Sequence, residues 1–542
     1  MIKKYFTRGI YALLALVLLV GCTKTAGPSE SAVSSIQMTD YNAQLELQPS
    51  VGHNRTTYEI FVYSFCDSDR DGIGDINGIR EKLDYIQDLG CDRIWLTPVS
   101  PSTTYHKYDV IDYYGIDPEF GTMEDYEALL KECHERGMEV YFDLVLNHSS
   151  SKCEWFTQAV DYLHELPADW RPDSSYCPYF AYYNFSRDAQ NGYAPLEGTN
   201  WYYEARFWSE MPDLNLDSEA VREEIKNIMY YWMDKGVDGF RLDAVTSYYT
   251  GNNPKNAEFL RWLCDTARRK DPEVYFVGEA WTDRQKISEL YTSGIDSLFN
   301  FPFADSTGII RNVVNGSYSV KDYVAAIISS DSLYRQSNPG YTDAPFYTNH
   351  DIARSAGYYA SDKGPKTKMA YALSMLMGGN SFIYYGEELG MKGSGRDENK
   401  RAPMYWSTDP SAEGMCAGPR DMETVAMKFA SLEEQEKDEE SVYSFIRQAI
   451  RVRRAFPVIA CGFTDLAEPS TDSMALFTKE KEGFDTVLIA VNLSSEAQSA
   501  DISATGFDTL SAVLNTSEEK ITLENGTLTL PSFSIAVLTG GQ

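Results

Sequence analysis

The sequence is poor in positive charge and in the motifs of several large enzyme classes. Its 48 lysine and arginine residues face 80 aspartate and glutamate residues, so the formal net charge is −32. This acidic balance argues against nucleic acid, phosphorylated ligands or anionic lipid as the main partner and favours a neutral substrate. The chain contains no GxSxG elbow, phosphate loop, GxGxxG turn or HExxH helix. Serine-hydrolase, nucleotide-binding and zinc-protease chemistry therefore find no support.

Cysteine is sparse and lacks the spacing of a metal site. Nine cysteines occur in 542 residues, with no CxxC pair and no zinc-ligand spacing among them. Cys153 and Cys177 share one irregular segment and could pair in an oxidising compartment. Buried free thiols are expected at the cysteines that lie in apolar patterns, which are Cys66, Cys91, Cys133 and Cys264.

The apolar run at the amino terminus is too short to cross a bilayer. It extends from Ile10 to Val20 behind three basic residues, which is the pattern of a signal peptide. The segment Leu19-Val20-Gly21-Cys22 resembles the bacterial lipoprotein processing box. That resemblance implies cleavage before Cys22 and lipid attachment to its thiol. Ordinary secretory cleavage beside a chance cysteine is the alternative.

Two amino-terminal segments are therefore expected to lie outside the fold. Residues 1–21 are interpreted as a lipoprotein signal peptide. Residues 22–52, which are rich in Ser, Thr, Ala and Gln, are interpreted as a flexible tether. The mature protein is expected outside the cytoplasm, held by lipid on Cys22 at the bacterial cell membrane or the outer membrane.

From Tyr58 onward, β-type runs alternate with runs of helical period. Thr122, with Asp125 three residues later, predicts a capping box at the start of one helix, and Gly137 marks its end. Eight strands with intervening helices indicate an α/β fold, the (β/α)8 TIM barrel. The predicted strands are Tyr58–Phe65, Arg93–Val99, Val140–Leu146, Gly239–Val245, Val274–Val277, Ser297–Phe301, Pro345–Thr348 and Ser381–Tyr385.

Two regions depart from this alternation. Residues 150–210 contain Pro, Asn, Asp and aromatic residues without a clean period, which predicts a small inserted domain after the third strand. Residues 458–542 show short strand patterns separated by turn signals, which predict a carboxyl-terminal antiparallel β-sandwich domain. The catalytic barrel then comprises residues 53–149 and 211–457.

One predicted strand, Gly239–Val245, places a charged pair at its carboxyl end. Arg241 and Asp243 lie two residues apart and therefore share the face opposite the apolar side chains. A guanidinium beside a carboxylate holds it ionised and fixes its direction, as a nucleophilic aspartate requires. Taken alone, the pair would be interpreted as a structural ion pair.

Three other predicted strands also end in polar residues, at the edge where a barrel carries its active site. A lone Glu or His at such a position is usually solvated or satisfied in the core, but repetition on four strands indicates one catalytic site. Three of the six histidines, at positions 106, 148 and 350, fall in such polar segments. The three strand ends are Asp143-Leu-Val-Leu-Asn147-His148, Glu279-Ala-Trp281 and Asn349-His350-Asp351.

Together the four strand ends resemble the signature regions of the α-amylase family of glycoside hydrolases, in the same order and spacing. The matching segments read DLVLNH, GFRLDA, GEAW and TNHD. Met211-Pro-Asp-Leu-Asn215 is similar to a fifth family motif. The resemblance extends from about Tyr58 to the end of the chain and lies between oligo-1,6-glucosidase-like and neopullulanase-like members.

The resemblance implies that Asp243 is the nucleophile, Glu279 the general acid/base and Asp351 a carboxylate that holds sugar hydroxyls. Retaining glycosidases need one ionised carboxylate and one protonated carboxyl group. Arg241 favours the ionised form of Asp243, and the apolar segment before Glu279 favours its protonation. In the loop after the second strand, Lys107 stands where the family usually has Gly. The resemblance assigns substrate binding to Tyr108, Asp109, His148, Arg241, His350 and Arg401.

The acidic segment Asp67–Asp75 predicts a calcium site. Carboxylates at every second position, glycine for the turn and one backbone carbonyl are ligands that suit Ca2+. The segment begins like an EF-hand loop but has Gly78 where the closing Glu belongs. By resemblance, the same loop binds calcium in oligosaccharide-cleaving members of the family, and a solvated acidic turn is the alternative. The expected ligands are Asp67, Asp69, Asp71, Ile73 through its carbonyl oxygen, and Asp75.

We expect a retaining, endo-acting α-amylase that hydrolyses α-1,4-glucosidic bonds of starch and maltodextrins as a monomer. By resemblance, the residue after the nucleophile is Val in α-1,6-specific relatives and smaller in α-1,4-specific ones, and here it is Ala244. Lipid anchoring also suits a polymer met outside the cell. The alternatives are an exo-acting α-glucosidase or a transglycosylase of the same family. A glycan-binding surface lipoprotein without catalysis would lack one of the three carboxylates.

Overall fold

The computed structural model describes residues 38–167 and 170–540. Its first ten strands are β1 (Thr56–Ile60), β2 (Arg93–Leu96), β3 (Glu139–Leu144), β4 (Phe185–Ser186), β5 (Tyr193–Pro195), β6 (Tyr202–Glu204), β7 (Gly239–Leu242), β8 (Tyr275–Gly278), β9 (Ser297–Leu298) and β10 (Ser381–Tyr384). Seven of them form one parallel sheet in the order β10-β1-β2-β3-β7-β8-β9. The order follows the chain from β1 to β9, as expected for a barrel.

The ring is closed by the segment that runs between β9 and β10. The Asn300 N–H donates to the Ala344 carbonyl oxygen at 3.0 Å, and the Phe382 N–H donates to the Pro345 carbonyl oxygen at 2.8 Å. This segment therefore bridges both edges of the sheet, and the predicted TIM barrel is confirmed. The regular strand predicted at Pro345–Thr348 is wrong, because a proline nitrogen has no hydrogen to donate to a strand ladder.

Local signals set the ends of the helices that cover the barrel. The Asp125 N–H donates to Thr122 Oγ1 at 3.2 Å, and the Thr122 N–H donates to the Asp125 carboxylate at 2.9 Å, which confirms the predicted capping box. Gly90 ends a helix at φ +105°, a conformation that glycine adopts without strain. The α-helices that follow β1 are Ile76–Glu81, Leu83–Leu89, Met123–Glu135, Glu154–Glu165, Glu219–Lys235, Asn253–Arg268, Arg284–Tyr291, Ile309–Val314, Val320–Ser337, Pro365–Leu376, Asp397–Lys400, Leu432–Gln435, Val442–Ala455 and Val458–Cys461.

Smaller units follow β3 and the last barrel helix. Between β3 and β7 lie the helix Glu154–Glu165, a 3₁₀ helix at Pro178–Tyr182 and the three-stranded sheet β4-β6-β5. The carboxyl-terminal strands are β11 (Phe463–Ala467), β12 (Met474–Glu480), β13 (Val487–Asn492), β14 (Gln498–Asp501), β15 (Phe507–Asn515), β16 (Thr522–Glu524), β17 (Thr527–Leu530) and β18 (Ser534–Gly540). They form two sheets, β11-β12-β13-β18-β15 and β14-β17-β16, and their predicted antiparallel pairing is confirmed.

Residues 38–52 pack against the body of the protein. The Asn42 side-chain amide donates to the Val513 carbonyl oxygen at 2.9 Å, and the Val513 N–H donates back to Asn42 at 3.3 Å. Arg451 donates to the Leu45 carbonyl oxygen at 3.0 Å. These hydrogen bonds, of which the Asn42–Val513 pair is buried, hold the segment on the protein, so a flexible tether does not describe residues 38–52. The signal peptide and Cys22 lie outside the described residues.

The described cysteines are all free thiols. Burial confirms the prediction for Cys66, Cys91, Cys133 and Cys264. Cys153 and Cys177 are unpaired, and the Cys177 thiol donates to the Gln158 carbonyl oxygen at 3.7 Å. None of the helices in the described ranges has both the length and the apolar character that a bilayer span needs.

Candidate active site

A cleft of about 530 Å³ opens at the carboxyl ends of the barrel strands. Its size lies in the range of small-molecule sites, about 300–1,000 Å³. Six of the predicted site residues line it, namely Tyr108, His148, Asp243, Glu279, Asp351 and Arg401. The rest of the wall is formed by His106, Phe207, Met211, Ala244, Thr246, Ser247, Trp281, Asp397 and Lys400.

One buried guanidinium links three carboxylates beneath this cleft. Arg241, on β7, is fully buried and donates to Asp243 at 2.7 Å and to Asp143 at 2.9 Å. Its second terminal nitrogen lies 3.0 Å from Glu279 Oε2. The same Glu279 oxygen accepts the Ala244 N–H at 3.0 Å. The nucleophile and the acid/base predicted from the sequence are therefore held on one cation.

Burial changes the expected titration of both groups. It raises the pKa of Asp243 to about 6, against the opposing effect of Arg241. It raises the pKa of Glu279 to about 7, again against Arg241, and the charges of Asp243 and Asp351 add to the rise. The pKa of Asp243 is therefore raised and not lowered as expected, because the effect of burial outweighs that of Arg241. The predicted order is preserved, since Glu279 holds its proton to higher pH than Asp243.

Asp351 has its own cations. Its Oδ1 accepts from Arg401 at 2.8 Å, and its Oδ2 lies 3.0 Å from His350 Nε2. Burial alone would raise the pKa of Asp351, but His350 and Arg401 hold it well below its usual value. Arg401 also donates to the Tyr105 hydroxyl at 2.7 Å. Asp351 is therefore an ionised carboxylate that faces the cleft in a fixed direction.

His148 is positioned to contact a ligand. The ring is 2% exposed and lines the cleft, and its Nε2 has no hydrogen-bond partner. Burial lowers the pKa of His148 to about 4, so the imidazole is neutral. A buried polar atom without a partner costs free energy. A sugar hydroxyl in the cleft would supply the missing partner.

Tyr108 lines the cleft, whereas the neighbouring Asp109 does not. The Tyr108 ring lines the cleft but stacks on His350, with centroids 5.5 Å apart, and its hydroxyl donates to Asp143 at 3.0 Å. The Asp109 carboxylate is buried and accepts hydrogen bonds from Ser102, Thr103 and Thr104. Burial would raise the pKa of Asp109, but these hydrogen bonds lower it. Asp109 therefore stabilises its own loop, and direct substrate binding by this residue is not supported.

The loop accommodates Lys107 at the position where the family usually has glycine. Its φ is +63°, in the left-handed region that glycine occupies without strain. Its ammonium group is buried and forms ion pairs with Asp117, at 2.9 Å, and with Glu119. These ion pairs offset the backbone strain that a non-glycine residue carries at this position.

Some functional neighbours were missed from the sequence. Asp143, which has no predicted role, accepts from Arg241, Tyr108 and Trp95. Glu59, on β1, contacts His350. Their only local signal is a charged residue inside an otherwise buried strand. Phe207 and Trp281 are each 53% exposed on the cleft wall. Trp281 lies in the strand end that carries Glu279, but no sequence signal distinguishes Phe207 from other aromatics.

The predicted calcium loop brings three of its carboxylates together. Ligand oxygens of Asp67, Asp69 and Asp71 lie within 4.8 Å of one another. Burial and the neighbouring carboxylates raise the pKa of Asp71. Among the described residues, no Lys or Arg forms an ion pair with this group, so its repulsion suits a bound cation. Asp75 is not part of this group; its carboxylate accepts from the Ser68 N–H at 2.7 Å and the Gly78 N–H at 2.8 Å.

Comparison with known proteins gives a consistent result. The model of the α-amylase catalytic domain matches residues 59–462. Alpha-amylase 3 of Dictyoglomus thermophilum is 35% identical over 446 residues, covering 81% of this chain and 85% of its own length. Probable oligo-1,6-glucosidase 3 of Bacillus subtilis is 30% identical over 516 residues, covering 81% and 90%.

Solved structures also match over nearly the whole chain. Eubacterium rectale Amy13B has a TM-score of 0.91 at 45% identity, covering 93% of this chain and 99% of its own. The α-amylase from H. orenii has a TM-score of 0.78 at 31% identity, covering 91% and 100%. The barrel and its carboxyl-terminal domain are thus shared with these relatives.

Proposed function

Because the chain belongs to the α-amylase family of glycoside hydrolases, we propose that it is a retaining, endo-acting enzyme that cleaves α-1,4-glucosidic bonds of starch and maltodextrins. The observation that carries the proposal is the placement of Asp243 and Glu279 on one buried guanidinium, that of Arg241. Retaining glycosidases separate their two carboxyl groups by about 5–5.5 Å, and inverting ones by about 6.5–9.5 Å. A shared cation favours the shorter separation.

The reaction proceeds in two steps. Asp243 attacks the anomeric carbon while Glu279 gives its proton to the departing glycosidic oxygen. A water molecule then attacks the sugar ester on Asp243 and gives its proton to Glu279, so both groups return to their starting states. The pKa values of about 6 for Asp243 and about 7 for Glu279 support these roles near neutral pH.

The substrate is held by the remaining charged and polar groups of the cleft. Asp351, ionised between His350 and Arg401, accepts hydrogen bonds from sugar hydroxyls. His148 offers its unpartnered Nε2 to another hydroxyl. These contacts are made to a neutral polyhydroxyl ligand, in keeping with the acidic chain.

The preference for α-1,4 bonds rests on Ala244. This residue follows the nucleophile and lines the cleft at φ +45°. A β-branched side chain is strained in that conformation, and it would also narrow the cleft beside the bond to be broken. The discrimination from such a small difference in volume is about 1–3 kcal/mol.

Endo action is tested with maltoheptaose whose non-reducing end is chemically blocked. We expect cleavage of the blocked sugar into shorter products. Resistance of the blocked sugar, with steady release of glucose from the unblocked one, would instead identify an exo-acting α-glucosidase. That second candidate is favoured by the relative named oligo-1,6-glucosidase. Glycosyl transfer to a second maltodextrin in place of water would identify a transglycosylase.

We also propose that the loop of Asp67, Asp69 and Asp71 binds one calcium ion, with the Ile73 carbonyl oxygen as a further ligand. The support is the approach of three carboxylates without an ion-pair partner. Oxygen ligands of this kind suit Ca2+. Asp75 would act behind them, because it orients Ser68 and the start of the helix Ile76–Glu81.

The lipid anchor on Cys22 remains a proposal from the sequence alone. Processing at this cysteine would place the enzyme on the outer face of a membrane, where it meets polymeric substrate. Cys22→Ser should release the protein into the medium or block its processing. Unchanged fractionation of this variant with membranes would contradict the anchor.

A further inference from the structure

A buried carboxylate lies behind the cleft, on the first strand of the barrel. Glu59, on β1, is 1% exposed. Its Oε1 lies 2.7 Å from Nδ1 of His350 and 3.3 Å from the His350 backbone nitrogen. A buried carboxylate is costly unless it is paired and hydrogen-bonded. This one is paired with the histidine that touches Asp351.

The other ring nitrogen of His350 faces the reaction site. His350 Nε2 lies 3.0 Å from Asp351 Oδ2 and 2.7 Å from the Tyr108 hydroxyl oxygen. That hydroxyl donates its only hydrogen to Asp143, at 3.0 Å. It must therefore accept a hydrogen from His350 Nε2. The ionised Asp351 requires a donor at the same nitrogen.

Burial raises the pKa of Glu59, but His350 and the charge of Arg241 oppose that rise and favour the carboxylate form. A Glu59 carboxylate accepts a hydrogen from Nδ1 at 2.7 Å. With a hydrogen on both ring nitrogens, His350 is an imidazolium. Burial would lower the pKa of His350, but the carboxylates of Asp351 and Glu59 raise it to about 10. The result is a row of alternating charge that runs from Glu59 through His350 and Asp351 to Arg401. Each member is bonded to the next.

We propose that Glu59 is a positioning residue that keeps His350 doubly protonated, so that His350 fixes the direction and the ionised state of Asp351 toward the sugar. Glu59 does not touch the substrate and acts only through its partner. The inference deepens the proposed function, because it concerns how the same cleft holds its third carboxylate.

The other charged groups around His350 do not replace Glu59. Asp143, on β3, interacts electrostatically with His350, but it is already bonded to Arg241. Arg401 is cationic and donates to the His350 carbonyl oxygen at 3.1 Å, whereas burial lowers the pKa of His106 to about 4 and leaves that ring neutral. Positive neighbours favour a neutral ring. Apart from Asp351 itself, Glu59 is the carboxylate that forms an ion pair with the ring.

The substitution Glu59→Gln keeps the size and one acceptor oxygen but removes the charge. We would follow the imidazole signals by NMR as pH is raised, in protein with labelled histidine rings, and assign His350 with the variant His350→Asn. The wild-type ring should stay protonated through pH 8. In Glu59→Gln its pKa should fall by about 1–3 units, the usual effect of losing an opposite charge in contact.

A matched control removes another buried charge. Glu388 is fully buried and accepts from the Tyr58 hydroxyl at 2.6 Å, without contact to His350. Glu388→Gln should leave the His350 titration unchanged. If Glu59→Gln does not fold, the wild-type titration alone tests the proposal. A His350 pKa of about 6.5 in the wild type, the ordinary value for histidine, would overturn it. An unchanged titration in folded Glu59→Gln overturns it as well.

Activity gives a second readout. Above neutral pH, kcat/KM of the wild type should fall with the loss of one proton, that of Glu279. In Glu59→Gln it should fall with the loss of two protons, or at lower pH, because His350 also deprotonates. If Glu59 had only a structural role, the substitution would lower kcat/KM by the same factor at every pH. The titration uses no substrate, so absence of maltoheptaose hydrolysis would reject the proposed function without deciding the role of Glu59.

Discussion

Two clusters of carboxylates occur in this protein, and they differ in where their positive charge comes from. In the cleft, Asp143, Asp243 and Glu279 all contact Arg241, which is fully buried. In the loop after β1, three aspartates approach one another within 4.8 Å without a Lys or Arg ion pair among the described residues. The carboxylates of the cleft are paired with cations of the chain itself, whereas we propose that those of the loop bind a cation from solution.

The difference indicates what each cluster is for. A guanidinium fixed beneath a carboxylate tunes its titration and leaves its free oxygen for chemistry. A metal ion instead consumes the carboxylate oxygens as ligands and stabilises the folded loop. We therefore assign catalysis to the first cluster and stability to the second, and each assignment can be broken separately.

The largest effect is expected from neutralising the catalytic carboxylates. Asp243→Asn and Glu279→Gln should each lower kcat by several orders of magnitude, because neither nucleophile nor acid can be replaced by water. The fold should persist, as judged by thermal melting. The matched change in the other cluster, Asp69→Asn, should leave kcat at saturating substrate nearly unchanged. Equal losses of activity in both clusters would break the comparison.

The second-largest effect is expected on stability, from removing the Arg241 guanidinium. Arg241→Met should lower the free energy of unfolding by about 3–5 kcal/mol, because it leaves buried carboxylates without a partner. The loss should be smaller at pH 5 than at pH 8, since protonation then neutralises them. Urea denaturation measures both values. Arg80→Met, which breaks a partly exposed ion pair with Glu132, should cost only about 0–1 kcal/mol. Similar costs for the two variants would contradict a special role for Arg241.

A smaller effect is expected from calcium. Ca2+ at 100 times its Kd should raise the free energy of unfolding by about 2.7 kcal/mol, because only the folded loop gathers the ligands. Melting curves with calcium and with a chelator measure the shift. Asp69→Asn should abolish it, whereas the exposed control Asp508→Asn should retain it. Identical curves for the wild type in both conditions would remove the calcium site from this loop.

The smallest effect is the shape of the pH profile. Asp243 must be ionised and Glu279 protonated, so kcat/KM should rise with pH through about 6 and fall above about 7. The optimum is narrow because burial raises both pKa values and leaves them close together. Initial rates on maltoheptaose test this shape. They should be measured from about pH 4 to about pH 9, which is about 2 units below the pKa of Asp243 and about 2 units above the pKa of Glu279. Constant kcat/KM above pH 7 would show that Glu279 is not the proton donor.

Local patterns were sufficient to predict the barrel and the cleft. Period and capping signals identified the helices, and the polar residues after each strand could be placed at one edge without knowledge of any contact. Thr122 and Asp125 illustrate this, because both partners of the capping box lie within one turn. The predictions failed where a residue's partner lies far away along the chain, or where the backbone cannot form regular strand hydrogen bonds, as at Pro345.

Three cases show, in physical terms, what local sequence patterns cannot predict. Glu59 and His350 are 291 positions apart, so no local pattern relates them. Asp109 is a residue type that often binds ligands, but here its carboxylate accepts hydrogen bonds from hydroxyl groups of its own loop. Residues 38–52 have the composition of a linker, yet Asn42 finds backbone partners on β15. Each outcome depends on contacts that composition and period do not encode.

The most direct test of the central assignment is the configuration of the first product. Proton NMR during the first turnovers of maltoheptaose should show the new reducing end appearing as the α-anomer, followed by slow mutarotation to the β-anomer. That order is predicted by a covalent intermediate on Asp243 with Glu279 as acid and base. Initial appearance of the β-anomer would contradict the nucleophilic role of Asp243 and the account of the cleft built on it.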